Sequence, residues 1–305
     1  MAVFAGCTLQ KAVASDTPLR LDRAQMITYT SEWTGERFDD GRPKVPDGIL
    51  ERMKIVTINQ AWQVCRTAGY EYQFERGWQR VQPNGGPLVG RALTATYMPK
   101  RPDIFKATNE SAKAAGRVGS QITWPIKMLV PGDVYVADVY GKEVGGPIVG
   151  ASLATAIVVN SGNGVVFDGE IRDLTEIERN KGFNGFVRNF NPTSYSASML
   201  VGINIPTRIG AVTVMPGDIV LGAREGIMFI PSHLAEQVVT QAESEKLRDM
   251  FGFERLKEKK YTLEQVYGKW PDEVESDYSN WLKENIDRLP VAKAQVEEIL
   301  RKRSK

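Results

Sequence analysis

The chain has one histidine and two cysteines in 305 residues. A structural zinc site built from His and Cys needs four such ligands, so a His-rich or Cys-rich zinc site is ruled out. Any metal must be held by oxygen, which favours Mg²⁺ or Mn²⁺. An excess of charge of one sign is also missing: 39 Lys and Arg against 37 Asp and Glu leave a net +2, and no nucleic-acid partner is expected. Glycine-rich phosphate cradles with P-loop or Rossmann spacing are absent. Pro131-Gly132-Asp133 is echoed by Pro216-Gly217-Asp218, but two uses of one turn-and-strand device do not make a repeat array. What is present, 42% hydrophobic and 25% charged residues, suffices for one generous core or a core with appendages.

Chemistry concentrates in the middle of the chain. Gly164-Val165-Val166-Phe167 reads as a short strand buried on both faces, and Asp168, Glu170, Arg172 and Asp173 crowd in after it. In open α/β sheets ligands sit just beyond the carboxyl ends of strands. An Arg beside an Asp suits one task there: the guanidinium grips a carboxylate bidentately while the neighbouring carboxylate holds a hard cation. That is a site for a small oxo acid. The same residues also have a plainer reading, since Asp173-Leu174-Thr175-Glu176 has the form of a helix capping box and Asp168-Gly169 is an ordinary turn signal. Upstream, Gly150 precedes a helix predicted over 152–159, whose free N-terminal N–H groups attract a carboxylate.

Elsewhere the chain alternates short helices and strands. Met1 to Cys7 ends in Ala5-Gly6-Cys7, like the last part of a lipoprotein signal, though a basic n-region and most of an apolar h-region are missing; a lipid anchor with export and an ordinary cytoplasmic N-terminus both stand. Residues 8–34 read as a tether or an arm. A helix is expected from Asp47, a second from an N-cap at Thr57 through Arg66 with Cys65 in the core, and a surface helix over 104–120. Strands are expected at 88–98, after Pro131-Gly132-Asp133, up to Arg188, and at 212–214, 219–221 and 227–230. Ser232 is expected to cap a helix with His233 exposed in its first turn. Beyond 236 the sequence is charged and helix-favouring, with Trp270, Tyr278 and Trp281 available for packing. The organisation expected is a leader or tether at 1–34, an α/β core at 35–236 and a helical extension at 237–305.

The spacing of these motifs carries a resemblance. Gly150-x-x-Leu153-Ala154-Thr155, followed by Gly164-Val165-Val166-x-Asp168-Gly169-x-x-Arg172-Asp173, resembles the RraA-like family. That family includes the regulators of ribonuclease activity A and the class II 4-hydroxy-4-methyl-2-oxoglutarate/4-carboxy-4-hydroxy-2-oxoadipate aldolases. Leu88 to Ala95, the two Pro-Gly-Asp turns, Arg208-Ile209-Gly210 and Glu225 to Pro231 agree, so the likeness extends over about 47–237. It implies a swivelling β/β/α core, assembled as a homotrimer or hexamer with the site between subunits. It further implies Mg²⁺ (or Mn²⁺) on Asp173, a substrate carboxylate on Arg172, and binding help from Gly150, Ser152 and Leu153, with Asp168, Glu170 and Arg188 behind them. The reaction implied is metal-assisted retro-aldol cleavage releasing pyruvate, with oxaloacetate decarboxylation by the same route. The other activity found in the family is non-catalytic: a ring that binds a protein partner. One departure stands out, because the aldolases carry an acid straight after the motif glycine and this chain has Ala151. Either Asp168 or Glu170 takes its place from across the site, or the chemistry differs.

Overall fold

A computed structural model of the chain describes residues 17–141 and 146–303. Cys7, and with it the lipidation reading, lies outside the described residues. Three short helices come first. In α1 (Arg23–Tyr29) the Asp22 side chain accepts the Gln25 N–H while the Gln25 side chain accepts the Asp22 N–H, and Met26 is fully buried. A reciprocal cap and one buried anchor therefore order part of the stretch read from sequence as a tether. α2 (Asp47–Met53) and α3 (Ile58–Thr67) fall where their patterns placed them, with Thr57 and Gln60 forming a second reciprocal cap. Cys65 is a core residue: burial pushes its thiol up to about 12, far from a nucleophile's range.

The following elements are β1 (Phe74–Glu75), β2 (Gln79–Arg80), β3 (Leu88–Pro99), α4 (Pro102–Ala114), α5 (Trp124–Met128), β4 (Asp133–Asp138), α6 (Ala151–Ser161), β5 (Val165–Ile171), α7 (Leu174–Arg179) and β6 (Gly185–Phe190). After them come β7 (Ser198–Ile203), β8 (Thr207–Ile209), β9 (Val212–Val214), β10 (Ile219–Gly222) and β11 (Ile227–Ile230). β3 is the spine of a nine-stranded mixed sheet, eight strands in the order β1-β11-β10-β3-β4-β5-β6-β2 and β7 paired to β3 off that path. Its first residues pair antiparallel with β10 and its last with β7, while β4 runs parallel along the middle. β3 to β6 form a parallel block. Both faces of that block are covered, which explains why β4 has no polar alternation. Val134 and Val136 pack with Ile209, Val212 and Val214 of the β8–β9 hairpin, whereas Tyr135 and Ala137 pack with Ile157 of α6 and Trp124 of α5.

Two expectations about this block are corrected. β5 continues to Ile171 instead of ending at Phe167, so Asp168 and Gly169 are strand residues with an irregularity in the pairing to β6, not a turn. α4 stops at Ala114, short of residue 120. The echoed Pro-Gly-Asp segments are the same turn: Gly132 and Gly217 have φ of +85° and +90°, and Asp133 and Asp218 accept the N–H groups of Val130 and Met215. A type II turn needs this left-handed conformation after its proline, and glycine adopts it freely.

The C-terminal region is helical as expected, but it is not separated from the core by a linker. α8 (Ala235–Lys257) places Val238, Val239 and Ala242 against α2 and α3, then carries Leu247 and Phe251 into a second cluster. That cluster draws Trp270, Tyr278 and Trp281 together, using α9 (Leu263–Val266), α10 (Asp272–Asn285) and α11 (Lys293–Arg303). The boundary drawn at 236 thus falls in the first turn of a continuous helix. Ser232 does not cap it: a single 3-10 turn, Ser232–Leu234, leads directly into α8. No helix among the described residues is long and apolar enough to cross a membrane.

Candidate active site

β5 ends and α6 begins at the same place. Arg172 and Asp173 leave the end of β5, and the Arg172 N–H donates to the Val149 carbonyl at 3.1 Å, drawing the two segments together. Asp173 has φ 62° and ψ 38°, the left-handed region that Asp tolerates better than most residues. Its side chain makes no bond to α7, so the Asp173–Glu176 capping box does not form. Instead Oδ2 accepts the Ala151 N–H at 3.0 Å, and the carboxylate caps α6. A negative group at a helix N-terminus is favoured by the dipole and by the free N–H groups there. The Arg172 Nε lies 3.7 Å from the same oxygen, and the two side chains are 39% and 41% exposed.

Gly150 makes this approach possible. A Cβ there would lie 2.4 Å from Asp173 Oδ2 and 2.7 Å from Arg172 Nε, so the glycine is needed for space; its φ of −126° suits any residue. The result is a cavity of about 80 Å³ lined by Arg172, Asp173, residues 150–153 and Tyr195. The N–H groups of Ser152 and Leu153 have no partner among the described residues and mark the open end of α6. Gly150, Ser152, Leu153, Arg172 and Asp173 are therefore brought together as expected. Tyr195 was not foreseen. It comes from the loop between β6 and β7, its hydroxyl is buried without a hydrogen-bond partner, and burial raises its pKa. No local pattern singles it out.

Asp168, Glu170 and Arg188 lie elsewhere and do not line this cavity. Arg188 donates through Nε to Asp168 Oδ1 at 2.6 Å, through Nη2 to Glu75 Oε1 at 2.9 Å and through Nη1 to the Arg76 carbonyl at 2.7 Å, with its guanidinium 3.9 Å above the Trp78 ring. The remaining oxygens are used as well: Asp168 Oδ2 accepts the Gly210 N–H and Glu75 Oε2 accepts the Ala211 N–H. This cluster ties β5 and β6 to the β8–β9 turn and to the segment after β1. Glu170 is buried and accepts a hydrogen bond from Asn191 Nδ2 at 2.8 Å. Neither carboxylate replaces the acid missing at Ala151.

Among the described residues no three His, Cys, Asp or Glu side chains converge as a metal-ligating group. From the described residues the cavity has one carboxylate oxygen, Asp173 Oδ1, beyond the one that caps α6. A single carboxylate fits Mg²⁺ or Mn²⁺, which retain water and accept substrate oxygens, and does not fit a dedicated protein cage.

A mixed sheet with an Arg–Asp pair set against a glycine-led helix defines an α/β protein with a small cleft at the end of a parallel strand. A family model described as "RraA-like: Aldolase/RraA" matches residues 57–229, more than half of the chain, and the chain belongs to the RraA-like family. It is 30% identical over 122 residues to a Halalkalibacterium halodurans protein named "Putative 4-hydroxy-4-methyl-2-oxoglutarate aldolase", a match covering 39% of this chain and 56% of that one. It is 31% identical over 122 residues to an uncharacterized Methanocaldococcus jannaschii protein, covering 40% and 58%. The chain thus spans little more than half the length of these relatives. Among solved structures, the Streptomyces coelicolor protein RraAS2, described as an unusual member of the RNase ES inhibitor RraA protein family, superposes with a TM-score of 0.59 at 23% identity, over 70% of this chain and all of that one. An uncharacterized Pseudomonas syringae protein gives 0.58 at 21%, over 77% and 98%. At such identities these two establish the fold alone.

Proposed function

We propose that the chain is a divalent-metal-dependent lyase that cleaves a 4-hydroxy-2-oxo acid and releases pyruvate, with oxaloacetate decarboxylation at the same site. The observation that carries this reading is the placement of Arg172 and Asp173, half-exposed and bonded to little else, over the open N-terminus of α6. Arg172 binds the substrate carboxylate through its planar fork, and the Ser152 and Leu153 N–H groups receive oxygen atoms beside it. As the carbon–carbon bond breaks, negative charge builds on the 2-oxo oxygen, and this cationic surround is where such charge is best tolerated. A cation held through Asp173 would supply Lewis-acid stabilisation of that same charge. The openness of the site fits completion by a second copy of the chain, in a homotrimer or hexamer.

A second reading is favoured by one observation: among the described residues no second carboxylate lines the cavity where the aldolases have an acid. On that reading the chain is a ring that binds a protein partner and catalyses nothing. The deciding experiment is a pyruvate-coupled assay with Mg²⁺ over a panel of 4-hydroxy-2-oxo acids and oxaloacetate. Pyruvate release that is abolished by chelator supports the lyase. Inactivity on the whole panel, from protein that light scattering shows to be oligomeric, replaces it with the partner-binding ring.

A further inference from the structure

A second cavity, of about 270 Å³, shares no lining residue with the first. It opens between the end of α1, the segment after α3, and the second Pro-Gly-Asp turn, with Asp218 at its inner wall. The two aspartates of the echoed turns make this wall unusual. Asp133 is neutralised: Arg42 donates to it bidentately at 3.0 and 2.9 Å, and Arg91 Nε lies 3.6 Å away. Asp218 is as deeply placed, yet it accepts only the backbone N–H groups of Met215 and Ser232, with no ion pair among the described residues. Among the described residues no Lys or Arg lines the cavity. Its charged and aromatic groups are Asp218, Glu32 at the exposed mouth, the rings of Tyr29 and Tyr70, and His233, which is half-buried with Nε2 3.4 Å from the Tyr70 hydroxyl instead of exposed as expected.

We infer that this cavity binds a small organic cation, an ammonium ion whose charge rests against Asp218 and whose alkyl groups face the Tyr29 and Tyr70 rings. A buried carboxylate without a counter-charge is costly, and a ligand cation supplies what Arg42 supplies to Asp133. Tyrosine faces favour ammonium groups in the same way. Burial pushes the Asp218 carboxyl up to about 7, the two backbone N–H groups drawing it back only in part; burial lowers the His233 pKa and raises that of Tyr70, with Cys65 and Glu32 the remaining titratable neighbours. A raised carboxyl is protonated in the empty folded protein at acid pH, so the empty protein loses stability as pH rises from about 4 through 7. Cation binding shows the opposite trend: it strengthens over the same range and releases a proton.

Because His233 is the sole histidine, its ring Cε1–H gives one proton NMR line that reports on the cavity. Full-length protein titrated with tetramethylammonium and with ethanolamine, and with acetate as the anion control, is expected to show saturable shifts with the two cations alone. Affinity near pH 8 should exceed that near pH 6 by about tenfold, following the ionised fraction of Asp218. Asp218→Asn should weaken binding at least tenfold. Glu32→Gln, at an exposed position that cannot disturb the turn, should weaken it several-fold, which keeps the test intact if Asp218→Asn unfolds. No saturable shift with either cation near pH 8, equal binding of acetate, or undiminished binding in Glu32→Gln would each overturn the inference.

Discussion

Two Arg–Asp pairs draw on β5 and the residues just after it, Arg188–Asp168 and Arg172–Asp173, and they differ in what is left over. In the first, the contact is 2.6 Å, the aspartate is nearly buried, and both its oxygens are used. In the second, the contact is 3.7 Å, both side chains are about two-fifths exposed, and one carboxylate oxygen and the guanidinium have no hydrogen-bond partner among the described residues. An Arg beside an Asp is therefore not a functional signal in itself. A saturated pair is a strut, since its hydrogen-bonding capacity has gone into joining strands. An unsaturated pair retains capacity for a ligand, and the left-handed backbone at Asp173 holds it in that state.

Four substitutions break or sharpen this contrast. The largest effect is expected for Asp173→Asn, which should lower Mg²⁺-dependent pyruvate release by about 1,000-fold. Its melting temperature should stay within about 2 °C, because an amide oxygen can still accept the Ala151 N–H. Equal activity in the pyruvate assay would place Arg172–Asp173 among the struts. Next comes Arg188→Met, which strands Asp168 and Glu75 without their counter-charge and should cost about 3 kcal/mol in urea unfolding. Turnover per folded molecule should be unaffected; a selective loss of turnover would mean that the two pairs act as one site. Gly150→Ala forces a Cβ against Asp173 and Arg172 and should cost about 2 kcal/mol by differential scanning calorimetry while also lowering turnover. The smallest change is Arg172→Lys. It keeps the charge but loses the fork, so the KM for the oxo acid should rise about tenfold while stability moves by less than about 0.5 kcal/mol.

How far the site could be read in advance follows from the distance over which its parts interact. Gly150, Arg172 and Asp173 were legible because a glycine-led helix and a strand terminus leave a fixed spacing in the chain. The role of Asp173 was not, since its local pattern fits a cap for α7 and the structure uses it on α6, 22 residues upstream. Asp168 looked like a member of the site because it is near it in sequence, and Arg188 because the resemblance implies that its segment lies close by. Their partner Glu75 is 113 residues from Arg188, and no local pattern announces that it will absorb them. Tyr195 and the Asp218 cavity were invisible for the same reason: each depends on loops meeting from separate parts of the sheet.

By itself, the sequence determined the elements that close within a few residues: the reciprocal caps at Thr57 and Gln60, the two Pro-Gly-Asp turns, the apolar strands, the helical C-terminal region, and membership signals spaced along 150–173. These depend on backbone conformation and on neighbours three or four positions away, which composition and periodicity encode directly. The tertiary structure alone decided that β3 serves β4, β7 and β10, that α8 joins two cores, and which of two Arg–Asp pairs would be consumed. Saturation of a charged group is set by everything that packs around it, and in this chain most of those partners arrive from more than forty residues away.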